Sequence, residues 1–221
     1  SCRVEVIGYY GGSYSDAVAF KTPDATPAET VTDAAVKTGS TAPDLSGASD
    51  WAKPEIQEAY DLNLATDTIL NHYSKNITRE EFCEIAVKLY EALSGKKALP
   101  TIDNPFADTT NTTVLKAFNL GIIKGTSDTA FSPDNPITRQ EICVMIYRTL
   151  KADDPNLNTN ISGVSVFADE TSIASWAIDA VKFASKNDIM KGTGGNKINP
   201  LNNTSREQAI VLLKRTYESF H

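Results

Sequence analysis

The chain has 221 residues, of which 41% are hydrophobic, and its 28 acidic against 21 basic residues give a formal net charge of −7. An acidic chain of this kind is a poor match for a nucleic-acid backbone, so we expect no nucleic-acid partner. It also lacks a run of about 18 apolar residues, and we therefore expect no membrane span.

The first 48 residues differ in composition from the rest. They begin with a short alternation at Val4 and Val6, which is typical of a strand or hairpin. The segment that follows, "KTPDATPAETVTDAAVKTGSTAPDLSG", is rich in Thr, Ala, Pro and Ser, as linkers are. We predict an extended arm over residues 1–48, which would connect the remainder to an upstream domain or surface protein.

Three similar helix starts follow along the chain: "NITREEF", "NPITRQEI" and "NTSREQA". In each one, Thr or Ser precedes an arginine, and Glu or Gln stands three residues after the Thr or Ser, which is a capping box. The arginines are Arg79, Arg139 and Arg206, 60 and 67 residues apart. We read three repeats, at about 49–95, 105–151 and 166–220, within one domain over residues 49–221.

Each repeat has the pattern helix, loop, helix. In the second repeat, Val114, Leu115 and Phe118 form an apolar stripe, and Gly121 is placed as a left-handed cap. A two-helix unit cannot bury such a face alone, but three packed units can. The sequence therefore predicts an all-α fold with a shared core, in which Cys83 and Cys143 are small buried residues.

The arginines occupy an unexpected position. Each is the first residue of its helix, where the dipole favours acids and a cation costs a few tenths of a kcal/mol. One interpretation is a site for an anion, which the arginine would bind together with free backbone N–H groups. The alternative is an internal ion pair, for which the candidate acids are Asp108, Asp169, Glu80 and Glu207.

Enzyme motifs do not occur. The chain has two histidines and contains no HExxH, CxxC or GxSxG sequence. The glycine-rich "GTGGNK" at 192–197 lacks the spacing of a phosphate-binding loop. We predict a protein without catalytic activity and without a cofactor.

The second and third repeats resemble S-layer homology modules. The resemblance rests on "FADTTNTTVLKAFNLGIIKGTSDTAFSPDNPITRQEICVMIYRTL" and on "FADETSIASWAIDAVKFASKNDIMKGTGGNKINPLNNTSREQAIVLL". The first repeat keeps the Trp-Ala start and the Ile-Thr-Arg-Glu box, but it lacks the Gly loop and the Phe-x-Pro turn.

This resemblance implies a pseudo-threefold helical spindle at the bacterial cell surface. It also implies non-covalent anchoring, through grooves between modules that bind an anionic secondary cell-wall polysaccharide, typically a pyruvylated amino sugar. The alternative is a protein-interaction or scaffold module on the cell surface.

The resemblance and the chemistry of the side chains together nominate a set of ligand-binding residues. They are Arg79, Arg139, Arg206, Gly125, Gly192, Trp51, Trp176, Lys124 and Lys191. Each type has a structural alternative: the tryptophans could be packing anchors, the lysines could be solvated, and the glycines could provide positive φ angles. We also expect Asp108 and Asp169 to cap the turn into the first helix of their repeats.

Overall fold

The computed structural model describes residues 42–221, which form six α-helices and one short 3-10 turn. The helices are α1 (Lys53–Asp61), α2 (Arg79–Ser94), α3 (Thr112–Asn119), α4 (Arg139–Asp153), α5 (Ile178–Lys186) and α6 (Arg206–Phe220), and the 3-10 turn is Glu170–Ser172. The predicted all-α class is confirmed. None of these helices is long and apolar enough to cross a membrane.

The predicted arm falls largely outside the described residues, since positions 1–41 are not among them. Its last residues belong to the helical region. Ala48 is buried in the hydrophobic core, and Leu45 packs against that core.

The three long helices lie at the centre, with α2 in contact with both α4 and α6. Each short helix packs mainly on the long helix of the preceding repeat: α3 on α2, α5 on α4, and α1 on α6. The short helix of each repeat therefore packs on the long helix of another repeat, and the contact of α1 with α6 joins the first repeat to the last. Because of this packing, the contacts between short and long helices combine residues from neighbouring repeats.

Backbone hydrogen bonds repeat the same cyclic order at one end of the bundle. The amide of Arg79 donates to the carbonyl of Asn135, that of Arg139 to Asn202, and that of Arg206 to Lys75, each at 2.9 Å. Three antiparallel bridges accompany these bonds: Asn76 with Ser205, Thr78 with Pro136, and Thr138 with Asn203. The long helices thus begin on a closed ring with approximate threefold symmetry.

The turn after each short helix uses a left-handed residue. Gly121 has a φ of 71°, as the sequence predicts. Asp188 takes this place in the third repeat and Asn63 in the first, each with a φ of 56°. Gly, Asn and Asp tolerate this region better than other residues do. Cys83 and Cys143 are buried and unpaired, as expected.

Candidate functional site

The capping boxes form as predicted on all three long helices. Thr78 pairs with Glu81, Thr138 with Glu141, and Ser205 with Gln208. In the first two boxes, one carboxylate oxygen accepts from the amide of the capping Thr, at 3.0 Å for Glu81 and 2.9 Å for Glu141. The other oxygen of each glutamate remains available for a second partner.

The amides at these helix starts are not free. The amide of the first residue of each long helix donates to a carbonyl of the neighbouring repeat, as described above. The amide of the second residue of each long helix also donates to a carbonyl of the neighbouring repeat. Glu80 donates to Pro133, Gln140 to Pro200 and Glu207 to Tyr73, at 3.0 to 3.1 Å. The expectation of an anion bound by free backbone N–H groups is therefore wrong, because the neighbouring repeat occupies them.

Two of the three arginines form ion pairs with the capping box of the next repeat. Arg79 Nη1 lies 2.8 Å from Glu141 Oε1, and its Nε donates to the carbonyl of Phe131 at 3.0 Å. Arg206 pairs with Glu81 and also donates to the carbonyl of Asn71. Both arginines are buried. The acid offsets the unfavourable dipole at the start of each helix.

The internal partners differ from the acids that the sequence suggests. Glu80 accepts from Thr109, and Glu207 accepts from Ser49. The acids that face the arginines are instead the third helical residues, which also close the boxes. These partners could be predicted from the sequence only if the cyclic order of the repeats were already known.

Arg139 lacks the acid that its counterparts have. The corresponding third residue in the last repeat is Gln208, which carries no charge. Arg139 donates from Nε to the carbonyl of Ile198 at 2.8 Å and from Nη2 to that of Lys191 at 2.9 Å. It forms no ion pair within residues 42–221. Burial lowers the pKa of its guanidinium, which nevertheless stays charged.

Asp108 and Asp169 do not cap the short helices. Asp108 accepts from the amides of Phe131 and Ser132, at 2.9 and 2.8 Å. Asp169 accepts from the corresponding amides of Ile198 and Asn199. Each aspartate therefore joins the start of its repeat to the turn before the next long helix, which corrects the predicted cap.

The glycines next to the lysines also have a different role from the predicted one. Neither Gly125 nor Gly192 has a positive φ. A Cβ on Gly125 would lie 2.3 Å from the carbonyl oxygen of Ser127 and 2.6 Å from that of Ala130, and one on Gly192 would lie 2.9 Å from the carbonyl oxygen of Lys197. Glycine is required because the loop folds tightly on its own backbone.

A cavity of about 450 Å³ lies along α4, and three repeats contribute to it. The residues that define its chemistry are Arg79, Lys124, Gly125, Glu141, Arg148 and Trp176. Four of these are predicted ligand residues. With three basic side chains and one acidic one, the wall carries an excess of positive charge in an acidic protein.

The sequence reasoning missed Arg148. Its side chain is half-buried and forms no hydrogen bond or ion pair with residues 42–221, and burial lowers the pKa of its guanidinium. Lys88 and Arg215 occupy the same position in the other repeats, nine residues after the arginine of the box. Lys88 contacts Asn63, and Arg215 pairs with Glu55. The recurrence of a basic residue could have revealed Arg148.

The tryptophans are exposed rather than packed. Trp176 has 58% of its surface exposed and Trp51 has 52%. Each precedes a short helix by two residues. Because α5 packs on α4, Trp176 reaches the cavity of the second repeat. In the second repeat Asn111 caps α3 and bonds to Glu84, so α2 has no tryptophan beside it at this position.

The remaining predicted residues lie apart from this cavity. Lys191 and Gly192 belong to the third-repeat loop, where Arg139 binds the carbonyl of Lys191. The arginines of the first two capping boxes thus lie beside the loop of the following repeat. Arg79 lines the same cavity as Gly125, and Arg139 donates to the carbonyl of Lys191.

Comparison with known families decides which class of protein carries this arrangement. The S-layer homology domain matches residues 107–143 and 166–210. The chain contains S-layer homology domains. The first repeat lies outside the matched segments, so its assignment as a third such module stays a prediction.

Several surface proteins and enzymes are similar over this region. An endoglucanase from Bacillus sp. (strain KSM-635) is 26% identical over 75% of this chain and 17% of its own length. An amylopullulanase from Thermoanaerobacterium thermosulfurigenes is 26% identical over 74% of this chain and 9% of its length. A surface-layer 125 kDa protein from Lysinibacillus sphaericus is 28% identical over 45% of this chain and 8% of its own length. The chain thus spans less than a fifth of the length of these relatives.

S-layer homology domains are anchoring modules that bind cell-wall polysaccharide. They place this chain outside the cell, at the bacterial cell wall or surface. The two enzymes match this chain over only 17% and 9% of their own lengths, so the similarity does not carry their activities to it.

Proposed function

We propose that the cavity along α4 binds a carboxylate-bearing sugar of a secondary cell-wall polysaccharide, a pyruvylated amino sugar, and thereby anchors an attached polypeptide non-covalently. The observation that carries this proposal is Arg148, a half-buried cation with no counter-ion among residues 42–221. Removing a cation from water without a partner costs free energy, and a ligand carboxylate would repay that cost.

The charges of the cavity suit a carboxylate. Glu141 is already engaged by Arg79 and by the amide of Thr138, so its charge is compensated. Lys124 and Arg148 are then left as cations for the ligand. A guanidinium can hold both oxygens of a carboxylate in one plane, which lysine cannot do.

The exposed ring of Trp176 suits the rest of the sugar. It lies at the edge of the cavity with more than half of its surface accessible. An aromatic ring in this position can cover the C–H face of a pyranose and bury apolar surface. Cation and ring together would recognise an acidic sugar better than a free carboxylic acid.

Arg139 provides a second place for the same chemistry, in the groove of the third repeat. Gln208 gives Arg139 no ion-pair partner, Asp169 acts on its charge only at longer range, and Lys191 and Gly192 lie in the adjoining loop. In the first-repeat groove Arg206 is paired with Glu81, and Asn111 replaces the tryptophan, so we rank this groove the weakest of the three. We propose binding in the second and third grooves.

The proposal is tested by binding to purified cell walls with the wild-type protein, Arg148→Gln, and Lys96→Gln as a control. Lys96 is exposed after the end of α2 and lies outside the cavity, so both variants lose one positive charge. We expect Arg148→Gln to lose at least about tenfold in affinity and Lys96→Gln to keep it. Equal binding of all three proteins would refute the proposal.

The same walls, extracted to remove the secondary polysaccharide, separate this function from that of a protein-interaction module. We expect wild-type binding to disappear after extraction, and after mild acid removal of the pyruvyl ketal. Binding that survives both treatments would indicate a protein or peptidoglycan partner instead.

A further inference from the structure

A second cavity of about 440 Å³ continues the first one along α4. The two cavities share Val144, Arg148 and Trp176, which stand between them. Their residues on α4 run from Glu141 to Ala152, a distance of about 16 Å at the rise of an α-helix. A groove of this length is longer than a single pyranose ring.

The second cavity has a different charge balance from the first. Apart from the shared Arg148, its charged side chains are Lys151 and Asp179, one of each sign. Both are exposed, and Lys151 lies over the ring of Tyr147 at 5.6 Å. An additional anionic group would gain little here, because Asp179 opposes it. Hydroxyl and amide groups, which both donate and accept, match such a mixed wall.

The floor of the second cavity is fixed by packing. The ring of Tyr147 meets Phe183 edge to face at 5.0 Å, and Leu120, Val144 and Ala180 supply apolar surface. A rigid, partly apolar floor with a few polar groups at the rim is typical of a preformed small-molecule site.

We propose that this second cavity binds an uncharged sugar, the neighbour of the acidic sugar in the same polysaccharide. This inference rests on the function proposed above and extends it from one residue of the glycan to two. Trp176 and Arg148 contact both sugars, whereas Asp179 accepts a hydroxyl hydrogen from the second sugar and Lys151 donates to it. The occupant is a continuation of the first ligand because the two cavities share their boundary.

The experiment compares two probes by calorimetric titration: the methyl glycoside of a pyruvylated amino sugar, and a disaccharide that links this sugar to a neutral amino sugar. The proteins are the wild type, Asp179→Asn, and Asp153→Asn as a control. Asp153 ends α4 and lines neither cavity, so both variants lose one negative charge.

For the wild type, we expect the disaccharide to bind about tenfold more tightly than the monosaccharide, the gain of one charge-assisted hydrogen bond. Asp179→Asn should remove this gain while it binds the monosaccharide at least as tightly as the wild type does, which also shows that the variant is folded. Asp153→Asn should behave as the wild type does.

Equal affinity of the wild type for both probes would overturn the second subsite alone, as would an unchanged gain in Asp179→Asn. A lack of binding by either probe would overturn the proposed function and the subsite together. The two failures are therefore distinguishable.

Discussion

Arg206 donates to the carboxylate of Glu81, 125 positions earlier in the chain, and so ties the last helix to the first long one. The arginine is buried, with 5% of its surface exposed. The contact that closes the ring of repeats is thus an ion pair rather than apolar packing alone. Its removal should affect the whole domain.

We expect Glu81→Gln to destabilise the domain by about 2 kcal/mol, because a buried guanidinium would lose its counter-charge while the capping box is kept. Glutamine closes the box in the third repeat, so helix capping is not the cause of the loss. The free energy of unfolding, measured in urea, checks this. A change within experimental error would show that the ion pair contributes nothing net.

Gln208→Glu should have the opposite effect at Arg139. The substitution recreates the acid that Arg79 and Arg206 face, and we expect a gain of up to about 1 kcal/mol because Arg139 is only half-buried. The new acid would also compete with a ligand carboxylate. Wall binding should therefore weaken while stability rises, and parallel changes in both would contradict the proposed groove.

Gly125→Ala should damage the cavity through its loop. The added Cβ would lie 2.3 and 2.6 Å from two carbonyl oxygens, which forces the backbone to move. We expect a loss of about 1 to 3 kcal/mol in stability and weaker wall binding. Gly47→Ala is the matched control, since its Cβ would meet only Tyr73 at 3.9 Å. If the two variants were equally stable, the loop around Gly125 would have accommodated the added methyl group, and the prediction would be wrong.

Acid should loosen the turns that Asp108 holds. Hydrogen bonds from the amides of Phe131 and Ser132 lower the pKa of this carboxyl below its usual range. A lowered folded-state pKa stabilises the fold at pH values above the ordinary aspartate pKa of about 4, and this contribution is lost as the pH falls through the lower folded value. Melting temperature against pH should be flat near neutrality and fall below about pH 4. In Asp108→Asn the acid-dependent fall should be shallower.

Tryptophan fluorescence should report ligand binding at one ring. The chain has two tryptophans, both more than half exposed, so emission should be that of solvated indole. Trp176 lines the cavity along α4, and Trp51 precedes α1, which packs on the long helix of the third repeat. We expect a blue shift on adding the acidic sugar to the wild type and to Trp51→Phe, and a smaller shift in Trp176→Phe, which would report on the third groove alone. A shift of the same size in Trp176→Phe as in the wild type would contradict binding in the cavity along α4.

Local patterns were readable from the sequence, whereas the neighbours across repeats were not. The capping boxes and the left-handed turn at Gly121 depend on residues close together in the chain, and these predictions are confirmed. The partner of Arg79 depends on how the repeats are stacked, and the sequence pointed to the wrong acids. The predicted positive φ of Gly125 was wrong for a similar reason, because the close approach involves the folded loop.

The place of Arg148 illustrates the same limit. Its helix position is plain from the sequence, and basic residues recur there in all three repeats. What distinguishes it is the absence of an acid such as Glu55, which pairs with Arg215. This difference depends on the packing of α1 on α6 and of α5 on α4, and it could not be read from one repeat alone.

The packing of α1 on α6 has a mechanical consequence. Under the anchoring function proposed above, a pull that separates α1 from α6 would act directly on the contact between these helices. The ion pair of Arg206 with Glu81, which joins α6 to α2, would oppose the same displacement. None of the residues that line the cavity along α4 belongs to α1 or α6, so the cavity can keep its shape while that contact is strained.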